Sequence, residues 1–202
     1  MHSMGVLSTK SEQIADVLAE EIIRGEFAPG ARLGQDHIAE RFQSSHVPVR
    51  EALQRLVQME LATSEPRRGV RVFSLSASDL DDIQQMRLAL EPLALRQATA
   101  QLDAEDLSKI EAARTACDVA EDPIVWERAN RRFHLAILSP CARPLLLRRI
   151  EPLQRLSAHR FHSRWRKGWV KTSDRDHGAI VEAMRARDAD KACHVLARHL
   201  NR

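Results

Sequence analysis

A chain of 202 residues, 44% hydrophobic and 29% charged, can hold one small and one medium domain, each with its own core, which excludes a disordered polymer. It has no apolar run of eighteen residues and no basic, apolar and cleavable leader, so neither a membrane span nor secretion is expected, and a cytoplasmic protein is. A formal net charge of +3 permits contact with nucleic acid without requiring it. Cys117, Cys141 and Cys193 form no CxxC pair, which argues against a thiolate zinc finger or a disulfide framework.

In chain order, Ile14, Val17, Leu18 and Ile22 recur at helical spacing, and Gly25 is a natural stop. Phe27-Ala28-Pro29-Gly30 forces a turn, Arg32-Leu33 suits a very short strand, and a second helix is predicted from Gln35 to Phe42. Ser44-Ser45 offers a capping hydroxyl to a third helix, which has Pro48 in its first turn and runs to about Glu60. Residues 61–65 and 69–73 read as strands of a hairpin turning at Pro66-Arg67-Arg68-Gly69. A Ser-rich link at residues 73–78 then separates this segment from one that is helical to the end. The expectation is a mainly α protein with two domains. Residues 1–75 form a winged helix-turn-helix with a small β-hairpin. Residues 76–202 form an all-α bundle of about six helices, near 77–99, 103–120, 122–139, 143–165, 172–187 and 188–201.

On the third helix Val49, Ala52, Leu53, Leu56 and Val57 form an apolar stripe, which puts His46, Arg50 and Gln54, spaced i, i+4, on the opposite face with Val47 beside them. Arg and Gln suit base edges or phosphates, Arg67 and Arg68 before Gly69 make a cationic hairpin tip, and Arg32 is a phosphate contact from the turn. Taken singly, each of these residues reads more readily as solvated surface. Their combination, in this order, points to double-stranded DNA.

Residues 11–73 resemble the winged-helix domain of the GntR family of bacterial regulators. The resemblance rests on Pro29-Gly30-Ala31-Arg32-Leu33, Ile38-Ala39-Glu40-Arg41-Phe42, residues 48–56 beginning Pro48-Val49-Arg50-Glu51-Ala52-Leu53, and Pro66-Arg67-Arg68-Gly69 with Val72. It implies a homodimer on a palindromic operator. Family members usually carry Gly-Val-Ser-Arg-Thr before the proline, where this chain has Gln43-Ser44-Ser45-His46-Val47. The usual operator is therefore not carried over.

In the helical part, Asn130 and His134 share a stripe with Trp126, Phe133 and Ile137; His177 lies with Ile180, Val181 and Met184; His199 lies with Ala192, Val195 and Leu196. Three imidazoles and one amide can thus converge, either as hydrogen-bonded core residues or as ligands of a divalent metal. Residues 77–202 further resemble the FCD ligand-binding domain of the FadR subfamily, in its shorter, VanR-like form. The marks are residues 86–91 from Met86-Arg87 to Glu91, Asn130-Arg131-Arg132-Phe133-His134, Asp176-His177-Gly178-Ala179-Ile180, residues 183–188 and His199-Leu200.

That resemblance implies a site for zinc, nickel or manganese at Asn130, His134, His177 and His199, in a domain that often runs on past the last histidine. Asn130 stands where the family has Asp, so the metal is expected to be held weakly and to draw in an anionic group. A small organic acid effector fits, with Arg87 as a candidate second anchor or else an ion-pair partner. Two rivals to an effector-controlled regulator are a metal-dependent hydrolase built on the three histidines and a dimeric adaptor without a sensor. Against the enzyme, Asp176 is expected to face away from His177, which leaves no inward carboxylate as base.

Overall fold

The computed structural model describes residues 8–165, 169 and 174–201, and the chain divides into two compact units, 1–75 and 76–202. In the first unit, helix α1 (Lys10–Ile23) starts at a reciprocal cap. The Thr9 hydroxyl accepts from the Glu12 amide at 3.2 Å, and Glu12 Oε2 accepts from the Thr9 amide at 2.8 Å. Its buried stripe is Ile14, Ala15, Leu18, Ala19, Ile22 and Ile23, with Val17, expected on it, left 40% exposed. The helix stops at Gly25, whose φ of +72° is a conformation glycine adopts without a Cβ penalty.

Helices α2 (Gln35–Arg41) and α3 (His46–Gln58) follow, and Ile38 and Ala39 join Val49, Ala52, Leu53 and Leu56 in the core. Ser45 occupies the cap position of α3, but its hydroxyl makes no capping bond, contrary to expectation. Glu21 on α1, almost fully buried, takes both terminal nitrogens of Arg41 on α2 and fixes that pair of helices. Strands β1 (Ala62–Glu65) and β2 (Gly69–Val72) pair antiparallel, Ala62 opposite Val72 and Glu65 opposite Gly69. The expected strand at Arg32 is a single bridge to Arg71, extended by Leu33 N–H to the Val70 carbonyl at 2.9 Å.

The second unit contains helices α4 (Ala77–Gln101), α5 (Ala104–Val119), α6 (Pro123–Leu138), α7 (Pro144–Trp165), α8 (Arg175–Arg185) and α9 (Ala189–Leu200), with a 3-10 turn at Ser139–Cys141. These six helices meet the fold expectation; the expected start of the fifth, at 172, lies outside the described residues. Ser76, Asp103, Asp122, Asp174 and Asp188 cap α4, α5, α6, α8 and α9 through their side chains. The core packs Leu95, Ile110, Phe133, Ile137, Leu138, Ile150, Ile180, Met184 and Leu196. Arg187, just past α8, donates to the Thr99 carbonyl at 2.7 Å and to the Leu102 carbonyl, which satisfies carbonyls at and just past the end of α4.

Candidate functional site

The structure sorts the basic residues of the first unit. Arg24 pairs with Glu26 at 3.0 Å, Arg41 with Glu21, and Arg55 with Glu12 at 3.0 Å, while Arg71 donates to the Gly30 carbonyl at 2.9 Å. Arg32, Arg50 and Arg67 remain exposed, as do His46, Val47 and Gln54. Arg68 is 75% exposed and only loosely paired with Glu65, at 3.7 Å. His46 has one acidic neighbour, the exposed Asp36, with Nδ1 to Oδ1 at 3.7 Å. At the hairpin tip Arg67 and Gly69 both take positive φ, +63° and +81°. A Cβ placed on Gly69 would lie 3.8 Å from Arg32 Nε, so the turn arginine lies beside the tip. Val49, Ala52, Leu53 and Leu56 anchor α3 from behind, and its His46, Arg50 and Gln54 side is left to solvent.

In the second unit, α6, α8 and α9 bring His134, His177 and His199 together, with coordinating nitrogens within 4.8 Å of one another. His134 Nε2 and His199 Nε2 face each other at 3.2 Å, and the rings of His177 and His199 have centroids 4.8 Å apart. His177 is fully buried against Phe133, at 4.2 Å between centroids, and neither of its ring nitrogens has a hydrogen-bond partner. Burial first, then the neighbouring His134, His199 and Arg114, push its pKa down to about 2. It is therefore a neutral imidazole, the form that ligates metal. The Asn130 carbonyl oxygen is also buried without a partner. Buried lone pairs left open in this way suit an added cation better than a closed core, in which such atoms are paired.

Sequence reasoning missed three carboxylates. Glu91 on α4 is fully buried, its Oε1 2.6 Å from Arg87 Nε and its Oε2 3.4 Å from His134 Nδ1. Burial alone would raise its pKa, but Arg87 and then His134 outweigh that and hold it at about 2. Asp174 Oδ2 lies 3.3 Å from His199 Nδ1 and 3.8 Å from His177 Nε2. Asp176, expected to face away, is buried with Oδ2 3.9 Å from His199 Nδ1 and its other oxygen on Arg198. The expectation of a site without inward carboxylates is therefore corrected: Asp176 turns toward α9 rather than toward His177, a direction no single-helix projection reveals. The i, i+4 pair of Arg87 and Glu91 was the available signal for Glu91.

Arg87 also donates to Ser157 Oγ at 2.6 Å. With Asn130, Arg131, His134 and Gln154 it lines a cavity of about 50 Å³. Gln154 is 3% exposed, and neither end of its amide is hydrogen-bonded. Glu127 lines the cavity too and pairs with Arg131 at 2.8 Å, so each guanidinium on its wall is matched by a carboxylate while the amide of Gln154 is left open.

Residues 10–72 match the family of bacterial regulatory proteins called gntR, and residues 82–202 match the FCD domain. The chain is 31% identical to the HTH-type transcriptional regulator BphR of Paraburkholderia xenovorans, over 91% of this chain and 79% of that one. It is also 31% identical to the HTH-type transcriptional repressor GlaR of Escherichia coli, over 91% and 89%. The solved structure of Escherichia coli McbR superposes with a TM-score of 0.82 at 25% identity, covering 96% of this chain and 95% of that one. These relatives are regulators rather than enzymes, and among the described residues no helix is long and apolar enough to cross a membrane. With a winged helix-turn-helix unit ahead of a six-helix FCD unit, the chain belongs to the GntR family and is a DNA-binding transcriptional regulator.

Proposed function

We propose that the chain is a cytoplasmic, homodimeric regulator that reads a twofold operator and whose DNA affinity is set by a small organic acid bound in the second unit beside a divalent metal. The observation carrying this reading is the convergence of His134, His177 and His199, with the nitrogens of buried His177 left open. The three imidazoles would hold zinc, nickel or manganese, with the Asn130 carbonyl as a weak fourth donor. When bound, the metal supplies a Lewis-acidic anchor for a carboxylate. This chain's own part is to admit the anion: Arg87 and Arg131, each already paired with a carboxylate, would turn remaining N–H groups to it, and Gln154 would offer an amide to a polar substituent.

On the DNA side, His46, Val47, Arg50 and Gln54 would face base edges, while Arg32, Arg67, Arg68 and the close-approaching Gly69 backbone follow phosphates or the minor groove. Exposed Leu93 and Leu145 flank an open apolar groove suited to a second copy. GlaR is named as a repressor, and the corresponding sign here is operator release on effector binding. Linkage then requires the effector to bind the DNA complex more weakly by the same factor, about 1–3 kcal/mol.

The test is selection of bound genomic fragments, followed by anisotropy titration of the selected operator with candidate organic acids, with and without added zinc. Metal-dependent weakening of operator binding by one class of acid is expected. Sequence-independent DNA binding, or no response to any acid with metal bound, would refute the reading.

A further inference from the structure

A neutral imidazole carries one N–H and one lone pair, and whatever holds the proton on one nitrogen decides what the other can do. Two carboxylates approach the histidine pair from outside: Glu91 Oε2 at 3.4 Å from His134 Nδ1, and Asp174 Oδ2 at 3.3 Å from His199 Nδ1. Neither contact has hydrogen-bond geometry, but the negative charge of each carboxylate favours the tautomer with its proton on the Nδ1 beside it. The two Nε2 atoms lie 3.2 Å apart in hydrogen-bond geometry, a contact that needs one Nε2–H; with both protons on Nδ1 it becomes two facing lone pairs, a repulsion that a cation lying against both would relieve.

Both carboxylates are fixed independently of the rings. Glu91 is gripped by Arg87 at 2.6 Å in a fully buried position, and Asp174 uses its other oxygen, Oδ1, to accept from the Asp176 amide at 2.9 Å as the cap of α8. Asp176 Oδ2 also faces His199 Nδ1, but farther off, at 3.9 Å.

Resting on the metal reading above, we infer that Glu91 and Asp174 are positioning residues: they set the Nδ1–H tautomers of His134 and His199, and Asp174 brings a negative charge beside the site where Asn130 has none. Neither has to touch the cation. Glu91 is already matched by Arg87, so a divalent ion is only partly compensated and still draws in an anionic effector.

The experiment uses the full chain labelled with 15N at histidine. In metal-free protein, long-range proton–nitrogen spectra should show protonated Nδ1 and bare Nε2 at His134 and His199. Asp174→Asn, which keeps a good helix cap, should weaken the Nδ1–H preference at His199, and Glu91→Gln that at His134. In chelator competition with zinc, each variant should bind about 10- to 100-fold more weakly than the parent chain. Protonated Nε2 at either ring in the parent chain would overturn the inference, as would zinc affinity unchanged in Asp174→Asn, a variant that does not disturb the buried Arg87 pair. A parent chain with both Nδ1–H tautomers but no zinc uptake would uphold the positioning role and refute the metal reading alone.

Discussion

Replacing Arg87 with methionine removes one half of a buried ion pair and keeps most of the aliphatic stem. Glu91 is fully buried, its Oε1 is 2.6 Å from Arg87 Nε, and the lost guanidinium also releases Ser157. Leaving a carboxylate uncompensated in such a place costs about 3–5 kcal/mol. The titration of Glu91 points the same way: against the opposing effect of burial, Arg87 and then His134 hold its carboxyl at about 2. The folded pKa is the depressed one, so this stabilisation is fully present above pH 4.5 and fades as pH falls toward 2. At pH 7 the variant should lose the share that Arg87 supplies. Trp126, Trp165 and Trp169, the three tryptophans of the chain, all lie in the second unit, so fluorescence-detected urea unfolding reports on that unit alone. The expected loss is a large part of a domain's 5–15 kcal/mol. Adding Glu91→Leu should recover most of it, because an apolar pair replaces a broken ionic one. A loss below about 1 kcal/mol, or a double variant no better than the single, would refute the reasoning.

Arg50→Ala should weaken operator binding by about 1–3 kcal/mol and relax preference at one base pair; unchanged anisotropy curves would remove Arg50 from the DNA face. Arg67 sits at φ +63°, so Arg67→Gly should relieve about 1 kcal/mol of backbone strain while lowering DNA affinity at low salt. A variant that is neither more stable by circular dichroism nor weaker on DNA would contradict this. Asn130→Asp adds a charged donor and should tighten zinc about tenfold in chelator competition; equal affinity would place Asn130 outside the site. Burial, with Asp118 beside it, pushes the Cys117 thiol up to about 12. At pH 8 Cys117 should resist a disulfide reagent until urea unfolds the chain, and prompt stoichiometric labelling of the native protein, mapped to Cys117, would contradict its burial.

The helices of both units were legible because the patterns that define them are local: capping residues, a 3.6-residue apolar period, and glycine or proline at the breaks. The same periodicity placed His134, His177 and His199 inward, since each sits among apolar neighbours on its own helix. What one helix cannot display is the angle at which another crosses it. Glu91 reaches His134 from α4, and Asp174 reaches His199 across the α8–α9 pair; Glu91 shares the buried stripe of Ile83, Ala94, Leu95 and Ala98, but with Arg87 one turn before it the pair reads as a surface ion pair, and Asp174 lies on a cap, outside any stripe. Val17 failed for a related reason, because a residue at the rim of a stripe is buried only if a neighbour extends over it. The unused Ser45 hydroxyl shows that a residue suited to capping fixes the place of a helix start without making the bond.

Asp174 has a divided loyalty: one oxygen begins α8 and the other rests against the imidazoles of His199 and His177. A helix origin and a ring orientation therefore share a single hinge of two bonds, χ1 and χ2 of one short side chain. Any event that turns those rings also loosens or tightens the first turn of α8, so that turn registers the state of the histidine centre through amide protection, with no movement of the bundle as a whole.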